Sequence, residues 1–283
     1  ALKQGYHGET VGALSVSDLG RFKAPYQSML FQSQFLHTVP YTTVPLHTQN
    51  HDDFWAIHIL PQLQPLASQL TAMIIEPLAQ GASGMKFYGV DFLKKLAEFA
   101  KAHDIHLICD EIMTGVHRTG PFLASDYAGI APDFVCLSKG LTSGWLPLSV
   151  TLTTPALADL FYAAPFEHTF LHSHTFSGNA LAVAIATEVL AIFEDSPPDI
   201  PALEHSMKAA MNGLSNHFSS PDFQLQNSRV LGGIAACEIQ LARPWTHADT
   251  LSLSHLAAQH HILLRPIQNT LYWAPPLNMD INL

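Results

Sequence analysis

Ile105-His106-Leu107-Ile108-Cys109-Asp110-Glu111 is a short apolar run ending in two carboxylates, and Asp133-Phe134-Val135-Cys136-Leu137-Ser138-Lys139 is a second ending in a lysine. Their length and polar boundaries read as buried strands. Ahead of them, Thr71 to Glu76 is another apolar strand, and Val90 to His103 has helical spacing with Phe92, Leu93, Leu96, Phe99 and Ala100 on one face. Strand, helix and strand in alternation predict βαβ units and a mainly parallel sheet, an α/β fold. Open sheets of this kind bind ligands at the carboxyl edge of their strands. The pattern therefore brings an acid, Asp110, and an amine, Lys139, to one rim.

Lys139 precedes a small-residue turn, Gly140-Leu141-Thr142-Ser143-Gly144, whereas the other seven lysines stand in polar or helical surface contexts. A lysine at the end of a buried strand either snorkels to solvent or has its pKa lowered by burial, as a Schiff-base amine requires. A carboxylate on the neighbouring strand favours the second reading. Pyridoxal phosphate needs both groups: a lysine to hold its aldehyde and an acid to keep its ring nitrogen protonated.

Beyond the strand at Phe134 to Ser138, another is expected at Leu148 to Thr153, followed by a long apolar helix from Gly178 to about Phe193. Ser196-Pro197-Pro198-Asp199-Ile200-Pro201 then reads as a linker. It divides a larger unit, 1–195, from a smaller α+β unit, 196–283. In the smaller unit we expect helices near 202–218 and 250–260, a strand from Arg229 to Ile239, and short strands at 262–265 and 270–273. The segment 30–53, rich in His, Thr, Pro and Gln, reads as an irregular loop.

Composition narrows the function. The 283 residues carry 13 basic and 23 acidic side chains, a net charge of −10 that argues against nucleic acid. The three cysteines, Cys109, Cys136 and Cys237, have no metal or redox spacing and read as reduced thiols of a cytoplasmic protein. No stretch approaches the roughly 18 apolar residues of a membrane span. The 17 histidines include His51-Asp52-Asp53 and His172-Ser173-His174, but neither cluster has a third ligand at a convincing spacing, so no metal site is expected.

The run Ile108-Cys109-Asp110-Glu111-Ile112-Met113-Thr114-Gly115-Val116-His117-Arg118-Thr119-Gly120, followed by Cys136-Leu137-Ser138-Lys139-Gly140-Leu141-Thr142-Ser143-Gly144-Trp145, resembles the class III aminotransferases of fold type I. Four further segments agree in order: Gly5-Tyr6-His7-Gly8-Glu9-Thr10, Ile75-Glu76-Pro77 through Met85, His172-Ser173-His174-Thr175-Phe176-Ser177-Gly178-Asn179, and Leu264-Arg265-Pro266-Ile267. Within the class the chain is most similar to the members that convert 8-amino-7-oxononanoate to 7,8-diaminononanoate in biotin synthesis, with S-adenosylmethionine or lysine as amino donor. ω-Amino acid or diamine transamination is the alternative within the class. The resemblance also implies that an amino-terminal segment carrying the phosphate-binding turn precedes Ala1. A fragment without that turn would bind the cofactor poorly.

By resemblance, Lys139 and Asp110 are catalytic, and Tyr6, His7, Ile112 and Thr175 join them in holding pyridoxal 5′-phosphate. Asp110 would pair with the ring nitrogen, Tyr6 stack on one ring face and Ile112 pack beneath it. Thr175 would reach the phosphate of the neighbouring subunit, which implies a homodimer with shared sites, although Ser173-His174 stands where Gly-Pro is expected. Arg265, with Tyr6, Arg118 and Ser173, would contact substrate, Arg265 by receiving a carboxylate through two parallel hydrogen bonds. For each residue a structural role is the alternative: a turn cap for Asp110, core packing for Tyr6 and Ile112, ion pairs for the arginines. Glu9 stands where aspartate is common, and Glu76 and Glu111 either orient Asp110 or serve structure.

Overall fold

A computed structural model describes residues 1–47, 51–163, 165–217, 219–220 and 222–279, so that 48–50 of the irregular loop and the last residues of the smaller unit lie outside the described residues. In chain order the strands are β1 (Tyr41–Thr42), β2 (Ala72–Ile75), β3 (Ala79–Gln80), β4 (Lys86–Tyr88), β5 (His106–Asp110), β6 (Phe134–Leu137) and β7 (Val150–Thr153). They are followed by β8 (Ser219–Ser220), β9 (Phe223–Leu231), β10 (Ile234–Leu241) and β11 (Thr270–Trp273). The long helices are α1 (Val90–Ala102), α2 (Ala180–Asp195), α3 (Ile200–His217) and α4 (His247–Gln259).

The sheet that positions the site runs β2-β5-β6-β7. Strands β2, β5 and β6 are parallel, with Ile75 opposite Cys109 and Asp110 opposite Cys136. This register puts Glu76, Asp110 and Lys139 at the carboxyl ends of three adjacent strands. Strand β7 departs from expectation by pairing antiparallel to β6. The intervening 138–149 contains a short 3-10 turn, Lys139–Thr142, and no helix to carry the chain back across the sheet.

Helix α1 buries Phe92, Leu93, Leu96, Phe99 and Ala100, the stripe that its periodicity predicts. Full burial of each large side chain contributes about 2 kcal/mol. The core around it also includes Leu231, Ile234 and Ala236, so the segments on either side of residue 195 share apolar packing.

The smaller unit differs from expectation in three places. The stretch read as one strand belongs to a hairpin, β9 and β10, turning at Gly232-Gly233. Gly232 has φ +53°, and a Cβ there would lie 2.6 Å from the carbonyl oxygen of Thr119, so only glycine fits. Helix α3 begins inside the expected linker, because the Asp199 side chain accepts from Ala202 N and Pro201 occupies the first turn, where no amide is required. Residues 262–266 form no strand, only an isolated Ile267–Thr270 bridge following.

Candidate active site

The rim of the parallel sheet opens into a cavity of about 990 Å³, lined by Tyr6, His7, Glu9, Glu76, Asp110, Ile112, Lys139 and Arg265. Six sequence-nominated residues, Tyr6, His7, Asp110, Ile112, Lys139 and Arg265, are therefore brought together around one space.

Asp110 is buried, and its two oxygens are oriented separately. Oδ2 lies 2.8 Å from His7 Nδ1, while Oδ1 accepts the Ile112 amide at 3.2 Å. The His7 side chain is 2% exposed, and its Nε2 has no partner among the described residues. His7, expected at the cofactor, is thus also the direct partner of the acid. Sequence spacing gives no sign of this contact, which spans 103 positions.

Lys139 corrects one expectation. It is exposed at the open cavity, not dried out at the end of its strand, and no hydrogen bond or ion pair holds its amine among the described residues. Its backbone has φ +40°, in the left-handed region. A Cβ on the adjacent Gly140 would lie 3.1 Å from Val116 Cβ, so glycine there permits close packing of the turn that carries the lysine.

Part of the lining comes from the smaller unit. Arg265 is exposed to the cavity with no hydrogen bond or ion pair among the described residues, leaving its planar guanidinium available to an anionic ligand. Beside it lie Trp245, Thr246, His247 and Thr250 from the amino-terminal end of α4. Sequence reading did not nominate these four, because their place on the wall depends on how α4 docks. The Thr246-His247-Ala248-Asp249 capping pattern was the available local signal, but it marks a helix start and not a cavity.

Glu76 accepts the amides of Tyr6 at 2.9 Å and Gly81 at 3.0 Å. Burial pushes its carboxyl up to about 7, opposed by His7 and the two amides and reinforced by Asp110. Glu111 does not line the cavity. It accepts from Thr114 Oγ1 at 2.5 Å and from the amides of Ala124 and Ser125 at 3.0 and 2.8 Å, and burial raises its pKa. The Tyr6 hydroxyl donates to Glu9 at 3.1 Å; burial first, then Glu9, raises the phenol's pKa.

Arg118, expected to face substrate, does not line the cavity. It donates to the carbonyls of Gly233 at 3.1 Å and Pro275 at 2.7 Å, and burial lowers its pKa. The Gly232-Gly233 turn packs directly on Thr119, with the Gly233 carbonyl against the guanidinium. Ser173 and Thr175 are likewise not on this cavity but lie in an exposed segment. Among the described residues no group of three or more His, Cys, Asp or Glu could hold a metal, and no helix is long and apolar enough to cross a membrane.

These groups fit pyridoxal phosphate. The volume admits a substituted pyridine together with substrate, and one wall presents an unpaired amine, a buried carboxylate braced by histidine and an aromatic ring.

Comparison with known proteins agrees. The family model described as aminotransferase class-III matches residues 1–281. The adenosylmethionine-8-amino-7-oxononanoate aminotransferase of Synechococcus elongatus is 39% identical over 273 residues, covering 96% of this chain and 62% of the relative. That of Helicobacter pylori is 35% identical over 282 residues, covering 98% and 62%. The chain thus spans about three fifths of the length of these relatives. Among solved structures, the Methanocaldococcus jannaschii enzyme of the same name superposes with a TM-score of 0.80 at 26% identity, covering 99% of this chain and 64% of that one. A PLP-bound amine transaminase from an uncultivated Pseudomonas species superposes at 0.83 with 29% identity, covering 99% and 65%. With the family model spanning almost its whole length, this chain belongs to the class III aminotransferases.

Proposed function

We propose that the protein containing this chain transfers an amino group to 8-amino-7-oxononanoate, forming 7,8-diaminononanoate for biotin synthesis with S-adenosylmethionine as donor. The observation that carries this reading is the convergence of Lys139, Asp110, Tyr6 and Arg265 on one cavity, in a chain similar to curated relatives that bear that enzyme's name.

Pyridoxal phosphate, when bound, supplies an aldehyde that takes up amino groups and a ring that accepts the electron pair released at the donor carbon. Lys139 Nζ would anchor the cofactor and, once freed, would move the proton from the donor's α-carbon. Asp110, braced by His7 and by the Ile112 amide, would hold a proton at the ring nitrogen. Tyr6 and Ile112, both on the cavity lining, would pack against the ring. Arg265 receives the distant carboxylate of the substrate and sets its ketone toward the amine, since a fork of two parallel hydrogen bonds fixes direction as well as charge.

The same reading makes the assembly a cytoplasmic homodimer with shared sites, with Ser173 and Thr175 serving the partner's phosphate and substrate. It is supported by the exposed apolar surface beside them: Tyr162 is 87% exposed, Phe170 71% and Phe176 68%, while helix α2 leaves Leu181 71% exposed. Patches of this kind mark association surfaces. Residues 1–195 are read as the cofactor-binding unit and 196–283 as the small unit that brings Arg265 to the cavity.

A donor and acceptor screen on the full-length protein tests the function. Amination of 8-amino-7-oxononanoate is expected with S-adenosylmethionine. Turnover of β-alanine or putrescine with none of 8-amino-7-oxononanoate would replace this reading with ω-amino acid or diamine transamination.

A further inference from the structure

We infer that Glu76 is a positioning residue that fixes the Tyr6 wall of the cofactor site by stapling its backbone to the Gly81 turn. The inference rests on the reading of Tyr6 as the ring that stacks on pyridoxal phosphate. Glu76 follows β2 at the rim of the sheet and is 6% exposed. Its Oε1 accepts the amide of Tyr6, 70 positions away, at 2.9 Å, and its Oε2 accepts the amide of Gly81 at 3.0 Å. Tyr6, Gly81 and Glu76 all line the cavity, so the staple joins two parts of its wall.

Both ends of this brace are anchored. The Glu76 carbonyl accepts the hydroxyl of fully buried Tyr88 at 2.6 Å, and the far end of Tyr6 is tied through its own hydroxyl to Glu9 at 3.1 Å. The aromatic wall is thus held at its backbone and at its phenol. Each Glu76 oxygen already accepts a main-chain amide, which suits a brace better than a proton-transfer group. Only a carboxyl group on a two-carbon arm presents an oxygen to both amides. Glutamine offers one acceptor and turns an N–H₂ toward the other amide, and aspartate is one methylene too short.

The test uses the full-length protein as wild type, E76Q and E76D, freed of cofactor and titrated with pyridoxal phosphate. Visible absorbance gives the dissociation constant, amide exchange of the peptide spanning Tyr6 reports the staple independently of the cofactor, and thermal unfolding of the cofactor-free proteins reports general stability. Losing one hydrogen bond of this kind should weaken cofactor binding about tenfold in E76Q. It should also speed exchange at Tyr6, and E76D should follow in the same direction. Variants that melt lower yet bind pyridoxal phosphate like wild type would assign Glu76 to stability alone and overturn the inference, as would unchanged exchange at Tyr6. If E76Q does not fold, E76D carries the same readings; failure of both to fold would make Glu76 a core residue and refute the positioning role. A wild-type protein that binds no pyridoxal phosphate overturns the functional reading and this inference with it, whereas equal binding by wild type and variants overturns the inference alone.

Discussion

Raising the pH from about 4.5 to about 7 should destabilise the cofactor-free protein through Glu76. Burial lifts this carboxyl from 4.5 to about 7, with His7 and the amides of Tyr6 and Gly81 opposing and Asp110 adding to the rise. Between those values the folded state holds a proton that the unfolded chain has released. Stability therefore falls with rising pH across this window and levels off above about 7. A displacement from 4.5 to about 7 corresponds to about 3 kcal/mol. The assay is urea unfolding of cofactor-free wild type and E76Q at about pH 5 and about pH 8. His7, Asp110, Tyr41 and Tyr88 also interact electrostatically with this carboxyl. Subtracting the variant removes what does not depend on Glu76 and leaves the contribution of this carboxyl together with its coupling to those neighbours. The wild-type minus E76Q difference should become less favourable to wild type by about 2.5 kcal/mol at the higher pH, slightly less than the full displacement because pH 5 already lies above the unfolded value of 4.5. A difference that stays constant, or moves the other way, would refute the raised carboxyl.

Lys139→Ala should reduce transamination by about 10²–10⁴-fold even with excess pyridoxal phosphate, measured as 7,8-diaminononanoate formed per enzyme, because the amine at the cavity is lost. Asp110→Asn should cost about a hundredfold or more in kcat, since an amide cannot replace the carboxylate opposite His7. Arg265→Ala should raise KM for 8-amino-7-oxononanoate by about 10- to 100-fold with a smaller effect on kcat. Arg118→Ala should instead lower the thermal midpoint and leave KM within about twofold, because its guanidinium serves the Gly233 and Pro275 carbonyls. An increase in KM with unchanged melting for Arg118→Ala would return that residue to the substrate.

Local sequence determined the strands ending in Asp110 and Lys139 and the buried stripe of α1, because periodicity and boundary residues report burial over a few positions. It also nominated Tyr6 and Arg265, though only through resemblance to a family. Local signals were weaker where a turn decided the outcome. Gly232-Gly233 made a hairpin where one strand was expected, Pro201 opened a helix instead of extending a linker, and β7 returned antiparallel.

Tertiary structure alone decided who touches whom. His7 reached Asp110 across 103 positions, Glu76 reached Tyr6 across 70, and α4 supplied a cavity wall that its own residues do not announce. Arg118, identical in chemistry to Arg265, was drawn to two carbonyls, 115 and 157 positions away, while Arg265 stayed open to the cavity. The physical reason is that a side chain's hydrogen-bonding capacity is written in its type, but its partner is fixed only when distant backbone closes around it.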